Sequence, residues 1–187
     1  MRTMKSVLAT LIILVVAGVL FVLSGIYNIS ARVPHKAVTY RLLEILRDRS
    51  VEHYSGDVTL PSLADPELAM KGSIHFDETC RRCHGAPDQL RDEFAQGLYP
   101  VPPSLKACAT DLSTREIFWV IENGFKMTGM PAFGLNHDKA EIIGMVAFIE
   151  KLPDLVPKDY RQFVTDAEAR FGGYEHHDGK QTSPDRP

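Results

Sequence analysis

The longest run of apolar residues in the chain lies at its N-terminus. Arg2 and Lys5 precede a stretch without charged side chains at 6–31, whose core at 7–26 is mostly apolar. A helix of ~20 residues is long enough to cross ~30 Å of hydrocarbon. A cleavable signal peptide has a shorter apolar region that ends in a small-x-small site. We therefore expect residues 1–30 to be an uncleaved transmembrane anchor; a cleaved signal and a buried core helix are the alternatives.

The next segment, residues 31–62, is predicted to hold a juxtamembrane helix and a linker. Apolar residues recur at helical spacing between 38 and 49 and share one face. That face would either pack on the rest of the domain or lie on a membrane surface. Glycine and proline in residues 55–62 indicate the linker.

Capping signals mark the helices of the remaining chain. They are the capping carboxylate and proline of Asp65-Pro66-Glu67 and the two capping boxes Ser113-x-x-Glu116 and Asp138-x-x-Glu141. The first helix is predicted to run towards Cys80. The second ends at Asn123-Gly124, and the third stops at Pro153.

The fold class follows from what separates these helices. Segments 85–103 and 125–136 are rich in glycine, proline and polar residues and are predicted to be loops. Residues 157–171 are predicted to be a final surface helix, and the polar tail 172–187 to be disordered. The sequence shows no strand pattern and no internal repeat. We expect an all-α domain over residues 63–171.

Charge is distributed unevenly along the chain. The net charge is −3, but residues 1–36 carry four basic and no acidic side chains. The remaining chain has 21 − 4 = 17 basic and 24 acidic residues, a net charge of −7. A nucleic-acid-binding protein needs a basic face, so this balance argues against nucleic acid. It suits a basic protein partner, because charge steers encounter.

The sequence Cys80-Arg81-Arg82-Cys83-His84 is a C-x-x-C-H motif, the signature of c-type haem attachment. Two thiols three positions apart at a helix end can reach the two vinyl groups of one porphyrin. The adjacent imidazole is then held beneath the iron as an axial ligand. We expect one covalent haem c, attached through Cys80 and Cys83, with His84 on the iron.

The motif has two alternative interpretations. A zinc site would need two further ligands, which Cys108 and a histidine could supply. A thioredoxin-like dithiol would require a βαβ context, which the sequence lacks.

The loop from Asn123 to Gly134 offers two candidates for a second iron ligand, Met127 and Met130. Pro131 and the flanking glycines would let the backbone lie close against a flat macrocycle. A thioether is a soft ligand that favours ferrous iron and raises the reduction potential. A methionine in a loop can instead fill space in a core, a role that suits Met127 and fits Met130 poorly.

Residues 65–153 resemble a bacterial class I monohaem cytochrome c of the membrane-anchored kind, with a T-G-M-P-A-F-G loop at 128–134. The resemblance implies that Met130, directly before the proline, is the sixth ligand. It also implies that Pro103 of Pro103-Ser104-Leu105 accepts a hydrogen bond from His84, which tunes the ligand. In that family a glycine faces an aromatic where the first and last helices cross, here Gly72 and Phe148.

Three further residues are weaker candidates. Trp119 is expected either to pack in the core or to contact the haem edge or a propionate. Tyr99 could also reach a propionate. Cys108 is expected to be a small buried residue, with dimer formation as the alternative.

With His84 and Met130 bound, the iron has no vacant position and can change only by one electron. No second catalytic constellation is visible in the sequence. We therefore expect an electron carrier, not an enzyme, that serves a protein redox donor and acceptor. The alternatives are a haem subunit of a larger membrane oxidoreductase complex, and a sensor or peroxidase-like enzyme whose iron stays open.

The resemblance also implies a compartment. Haem c is attached on the far side of the bacterial inner membrane, so the haem domain should be periplasmic. Arg2 and Lys5 would then be cytoplasmic, and the single pass would run through residues 7–26.

Overall fold

The structure is a computed structural model that describes residues 2–172, with the side chain of Arg2 excepted. Within that range the chain is helical and holds no strand, apart from one bridge between Ala86 and Gln89. The predicted all-α class is confirmed. The predicted disordered tail, residues 172–187, lies outside the described residues except for Gly172.

The chain divides into two units, residues 1–34 and the residues from His35 onwards. The first unit holds helix α1, Arg2–Leu23. By length and composition this helix is apolar enough to cross a membrane over Thr3–Leu23. Its apolar side chains are exposed to the surroundings, as a helix that faces lipid requires.

The second unit is built from eight further helices among the described residues. They are α2 (Ala37–Ser55), α3 (Pro66–His75), α4 (Arg81–His84), α5 (Glu93–Gln96), α6 (Leu105–Asp111), α7 (Thr114–Asn123), α8 (Lys139–Ile149) and α9 (Pro157–Phe171). A π-helical turn over Phe76–Cys80, called the π-turn below, joins α3 to α4. Short 3₁₀ turns occupy Phe133–Leu135 and Leu152–Asp154.

Helix α2 packs on the domain through its C-terminal part. Val51 and Ser55 are buried, and the element contacts α7. Just after the helix, the Arg115 guanidinium donates a hydrogen bond to the Gly56 carbonyl at 3.2 Å. The apolar side chains nearer its N-terminus, such as Leu42 and Leu46, are exposed. The apolar face predicted at 38–49 is therefore exposed and does not pack on the domain, and the packing of α2 comes from residues beyond 49.

Helices α3 and α8 cross at a pair of glycines. A Cβ on Gly72 would overlap the carbonyl of Gly144, so the two backbones touch. The resemblance pairs Gly72 with Phe148 instead. In the structure the ring of Phe148 lies 5.1 Å from the ring of Phe76, one turn after Gly72. Close backbone contact thus comes from glycine against glycine, and the aromatic pair packs beside it.

The hydrophobic core lies where α3, α7, α8 and α9 meet the π-turn. Its largest fully buried side chains include Phe76, Phe118, Phe148 and Tyr160. Burying such aromatic side chains stabilises the fold by ~1.5–3 kcal/mol each. The core therefore includes the last helix as well as the turn that carries Cys80.

Both predicted capping boxes are confirmed. The Ser113 hydroxyl accepts from the Glu116 amide while the Glu116 carboxylate accepts from the Ser113 amide, and Asp138 and Glu141 repeat the arrangement. These reciprocal bonds satisfy amides that the first helical turn leaves unpaired. At the start of α3, the Asp65 carboxylate accepts from the Glu67 amide at 2.9 Å.

Candidate haem site

The residues of the C-x-x-C-H motif belong to two types of helix. Cys80 is the last residue of the π-turn, and Cys83 and His84 belong to α4. The helix ends at Gly85, whose φ of +74° is a left-handed conformation that favours glycine. A Cβ at Gly85 would also lie 2.9 Å from the Gln89 carbonyl oxygen. This glycine therefore lets the chain turn sharply directly after the imidazole.

The three cysteines are free thiols in this structure. Cys80 is 7% exposed, and burial raises its thiol pKa to about 12. Burial also raises the pKa of Cys83, which is less enclosed. Both groups are therefore protonated thiols at neutral pH. Within residues 2–172 no group of three or more His, Cys, Asp or Glu side chains is arranged to hold a metal ion.

His84 is oriented by its contact with Pro103. The Nδ1 atom lies 2.7 Å from the Pro103 carbonyl oxygen. A carbonyl can only accept, so Nδ1 carries the proton and Nε2 keeps its lone pair. Burial lowers the pKa of His84, which favours this neutral form. The imidazole thus presents an unprotonated nitrogen, as a metal-bound histidine must.

A cavity of about 470 Å³ adjoins His84 on the side of Leu105. Apolar walls come from Phe76, Leu105 and Leu152, and basic side chains from Arg91 and Lys106. Cys80, Cys83 and Met130 do not line it. Apolar walls together with basic side chains suit a flat apolar group that carries carboxylates.

The loop between α7 and α8 is closed on itself by backbone contacts. The Phe125 amide donates to the Met130 carbonyl at 3.2 Å. Gly124 has a φ of +62°, and a Cβ there would lie 2.5 Å from the Pro131 carbonyl carbon. The Thr128 hydroxyl bonds the Phe125 carbonyl at 3.0 Å and accepts from the Met130 amide at 3.1 Å. These bonds make residues 124–131 a tight loop, called the axial loop below.

The structure separates the two methionines of the axial loop. Met127 is 98% exposed and has a φ of +60°. Met130 is half-buried and packs against the hydrophobic core. An exposed side chain does not fill a core, so the prediction that Met127 fills space in the core is wrong.

Trp119 and Tyr99 both have protein partners. Trp119 on α7 stacks on Tyr54 of α2, with 6.0 Å between ring centroids and 13° between planes. The Tyr99 hydroxyl accepts from the His35 amide at 3.0 Å, and the two rings meet edge to face. The expected contact of either residue with a haem stays a prediction.

Cys108 is half-buried on α6, where burial raises its pKa.

One feature of the site has no signal in the local sequence. The Tyr160 hydroxyl on α9 donates to the Asp77 carboxylate in the π-turn at 2.5 Å. The two residues are 83 positions apart, and neither belongs to a motif. Only the packing of α9 against α3 brings them together.

The residues present fit a haem. Two free thiols and an imidazole with an available nitrogen lie in one short segment of an all-helical domain, and the apolar cavity adjoins the imidazole but neither thiol. These residue types on such a fold are the ones expected of a c-type cytochrome domain.

Comparison with protein families agrees with that class. Residues 67–149, somewhat under half of the chain, match the family described as cytochrome C oxidase, cbb3-type, subunit III. Comparison with curated proteins and with solved structures finds no match. The match supports a cytochrome c domain that acts as an electron carrier. Together with the apolar helix α1, this fits a membrane-tethered c-type cytochrome.

Proposed function

We propose that the domain binds one haem c covalently through Cys80 and Cys83, with His84 and Met130 as the axial ligands. The hydrogen bond from His84 to the Pro103 carbonyl carries this proposal, because it leaves Nε2 available to iron. The half-buried position of Met130 in the closed axial loop supports it as the sixth ligand. When bound, the haem supplies an iron that alternates between the ferrous and ferric states.

The side chains around the haem would set the reduction potential of its iron. Pro103 fixes the plane and tautomer of His84, which makes the imidazole a stronger donor. The Met130 thioether favours ferrous iron and raises the potential above that of bis-histidine ligation. Phe76, Leu105 and Leu152 line the cavity beside His84 and would give that side of the haem apolar surroundings. Two bound ligands would leave no position for a substrate, which is the property of a carrier.

The protein would act between a protein donor and a protein acceptor at the bacterial inner membrane. We place α1 across that membrane as a single pass, with the haem domain in the periplasm. The length and composition of α1 support the span. The compartment rests on the side of the membrane where haem c is attached in the resembled family.

A second candidate is a haem subunit of a larger membrane oxidoreductase complex. The family match favours it, because the matched description is that of an oxidase subunit. Purification of the native protein in mild detergent separates the two candidates. A carrier elutes alone, whereas a subunit co-elutes with a stable set of membrane proteins.

Covalent attachment has a direct test with a matched control. Acid-acetone extraction should leave the haem on the wild-type chain and on Cys108→Ser. Cys80→Ser and Cys83→Ser should each lose one thioether bond, and the double variant should release all its haem. Extraction of haem from the wild-type chain would overturn the proposal. A ferrous protein that binds carbon monoxide would instead indicate an open iron, as in a sensor or peroxidase-like enzyme.

A further inference from the structure

The π-turn that presents Cys80 is held from the opposite side of the core by α9. Tyr160 is 1% exposed, and its ring contacts Phe76 and Phe148 at centroid distances of 6.1 Å. Its hydroxyl donates to Asp77 Oδ1 at 2.5 Å. The phenol therefore reaches the carboxylate from within the core, with its ring fixed by two neighbours.

Asp77 is also bound by the first residue after Cys80. Arg81 Nε donates to the Asp77 carbonyl oxygen at 3.1 Å and lies 3.3 Å from Asp77 Oδ1. A second nitrogen of the same guanidinium lies 3.8 Å from Asp92. Asp77 thus receives one neutral and one cationic donor. Together they connect the start of the π-turn to the start of α4 around Cys80.

The π-turn itself points to a positioning role. A π-helical turn is rare and is found frequently at functional sites. Here it covers Phe76–Cys80 and so ends at the first attachment thiol. A turn of this kind needs contacts from elsewhere to persist, and Tyr160 and Arg81 supply them.

We propose that Tyr160 and Arg81, through Asp77, are positioning residues that hold the haem-attachment turn and set the reduction potential of the haem. This inference rests on the proposed function. The Asp77 carboxylate lies about one helical turn from Cys80, the residue that would be bonded to the porphyrin. A negative charge at that place stabilises ferric iron. Hydrogen bonds from Tyr160 and Arg81 delocalise the charge and so weaken the effect.

The protonation of Tyr160 suits this role. Burial, and then the hydrogen bond to Asp77, raise the pKa of the phenol well above its usual range. The hydroxyl therefore stays protonated at neutral pH and can donate to Asp77. Residues 157–171 lie outside the family match, so α9 would be a contribution of this chain to its haem site.

The test compares three variants of the full-length, haem-loaded protein. Tyr160→Phe removes only the hydroxyl and leaves the ring in the core. Asp77→Asn removes the charge but keeps an oxygen that can accept from Tyr160. Tyr40→Phe is the matched control, because the Tyr40 phenol bonds the Glu44 carboxylate on the exposed helix α2. The measurements are the haem reduction potential, Soret circular dichroism and thermal unfolding.

We expect the two variants to move the potential in opposite directions. Tyr160→Phe lowers it, because the Asp77 charge is less delocalised, and Asp77→Asn raises it, because the charge is gone. Added to Asp77→Asn, Tyr160→Phe should shift the potential by less than half of its effect in the wild type. The Soret dichroism should change in both variants, and Tyr40→Phe should match the wild type.

A purely structural role predicts something different. Tyr160→Phe would then lower the unfolding temperature and leave potential and Soret dichroism unchanged, which would overturn the inference. If Tyr160→Phe does not accumulate, the test rests on Asp77→Asn. An unchanged reduction potential in that variant would also overturn the inference. A wild-type chain that binds no haem would instead show that the proposed function is wrong.

Discussion

Gly72 and Gly144 bring the backbones of α3 and α8 into direct contact. A Cβ on Gly144 would lie 3.2 Å from the Leu68 carbonyl oxygen, and one on Gly72 would overlap the Gly144 carbonyl. This backbone contact sets the distance between α3, which leads into the π-turn, and α8, which lies in the core. It therefore determines where the attachment turn sits relative to Phe148.

Replacing Gly72 with alanine should destabilise the fold, because the new methyl group can be accommodated only if the helices move apart. Overpacking of this kind typically costs ~1–3 kcal/mol. Denaturant unfolding of the haem-loaded protein measures the loss. Gly97→Ala is the control, since a Cβ there meets only an ordinary contact at 3.6 Å from the Phe94 carbonyl oxygen. Equal stability of the two variants would contradict the crossing described here.

Met130→Ala should open the iron, whereas Met127→Leu should not. Loss of the soft thioether should lower the reduction potential and let carbon monoxide bind the ferrous form. Met127 is exposed, so its near volume-conserving replacement should cost under ~1.5 kcal/mol and leave the spectrum intact. Absorption spectra of both ferric variants in the methionine charge-transfer region provide the measurement. The opposite pattern would make Met127 the ligand.

The free energy of unfolding should fall as the pH drops below His137's ordinary pKa of 6.5. Burial is the largest cause that lowers the pKa of His137, and Glu141, His75, Asp138 and the Phe133 carbonyl also act on it. Below 6.5 the unfolded chain takes up a proton that the folded chain resists, so acid favours unfolding until the lowered pKa is passed. Unfolding curves between pH 7 and pH 5 should be less pH-dependent for His137→Gln. The exposed His53→Gln should keep the wild-type slope.

Removing residues 1–30, with an export signal supplied instead, should give a soluble protein with a normal haem spectrum. Residues 1–34 form a unit of their own, and the core is built entirely from later residues. The measurement is the absorption spectrum and the haem content per chain in the soluble fraction. A well-exported truncated chain that lacks haem would show that the anchor is part of the fold.

Local signals in the sequence identified most of the helices. The helix caps are local, because each capping side chain accepts from an amide two or three residues later. Such caps are found where they were expected, at Asp65, Ser113 and Asp138. The segment 85–103 was predicted to be loop throughout, yet it contains α5 at Glu93–Gln96. A single turn is too short to produce a helical repeat of apolar residues, so no pattern could have indicated it.

The candidate site was predictable to the extent that its residues are close in sequence. Cys80, Cys83 and His84 follow from one motif. The hydrogen-bond partner of His84 came from the resemblance, which pointed to Pro103, 19 residues away. The contact of Tyr160 with Asp77 could not be foreseen, because it depends on how α9 packs. Nor could the π-turn, since the spacing from Gly72 to Cys80 fits an uninterrupted α-helix equally well.

The closed axial loop has a kinetic consequence for an electron carrier. Its ends are joined by the Phe125–Met130 backbone bond and by the contact of Gly124 with Pro131, so the loop has few ways to relax. Under the proposed ligation, the iron–sulfur geometry would change little between the two oxidation states. The nuclear reorganisation that accompanies each transfer would be small, and the rate would then be governed by distance and driving force.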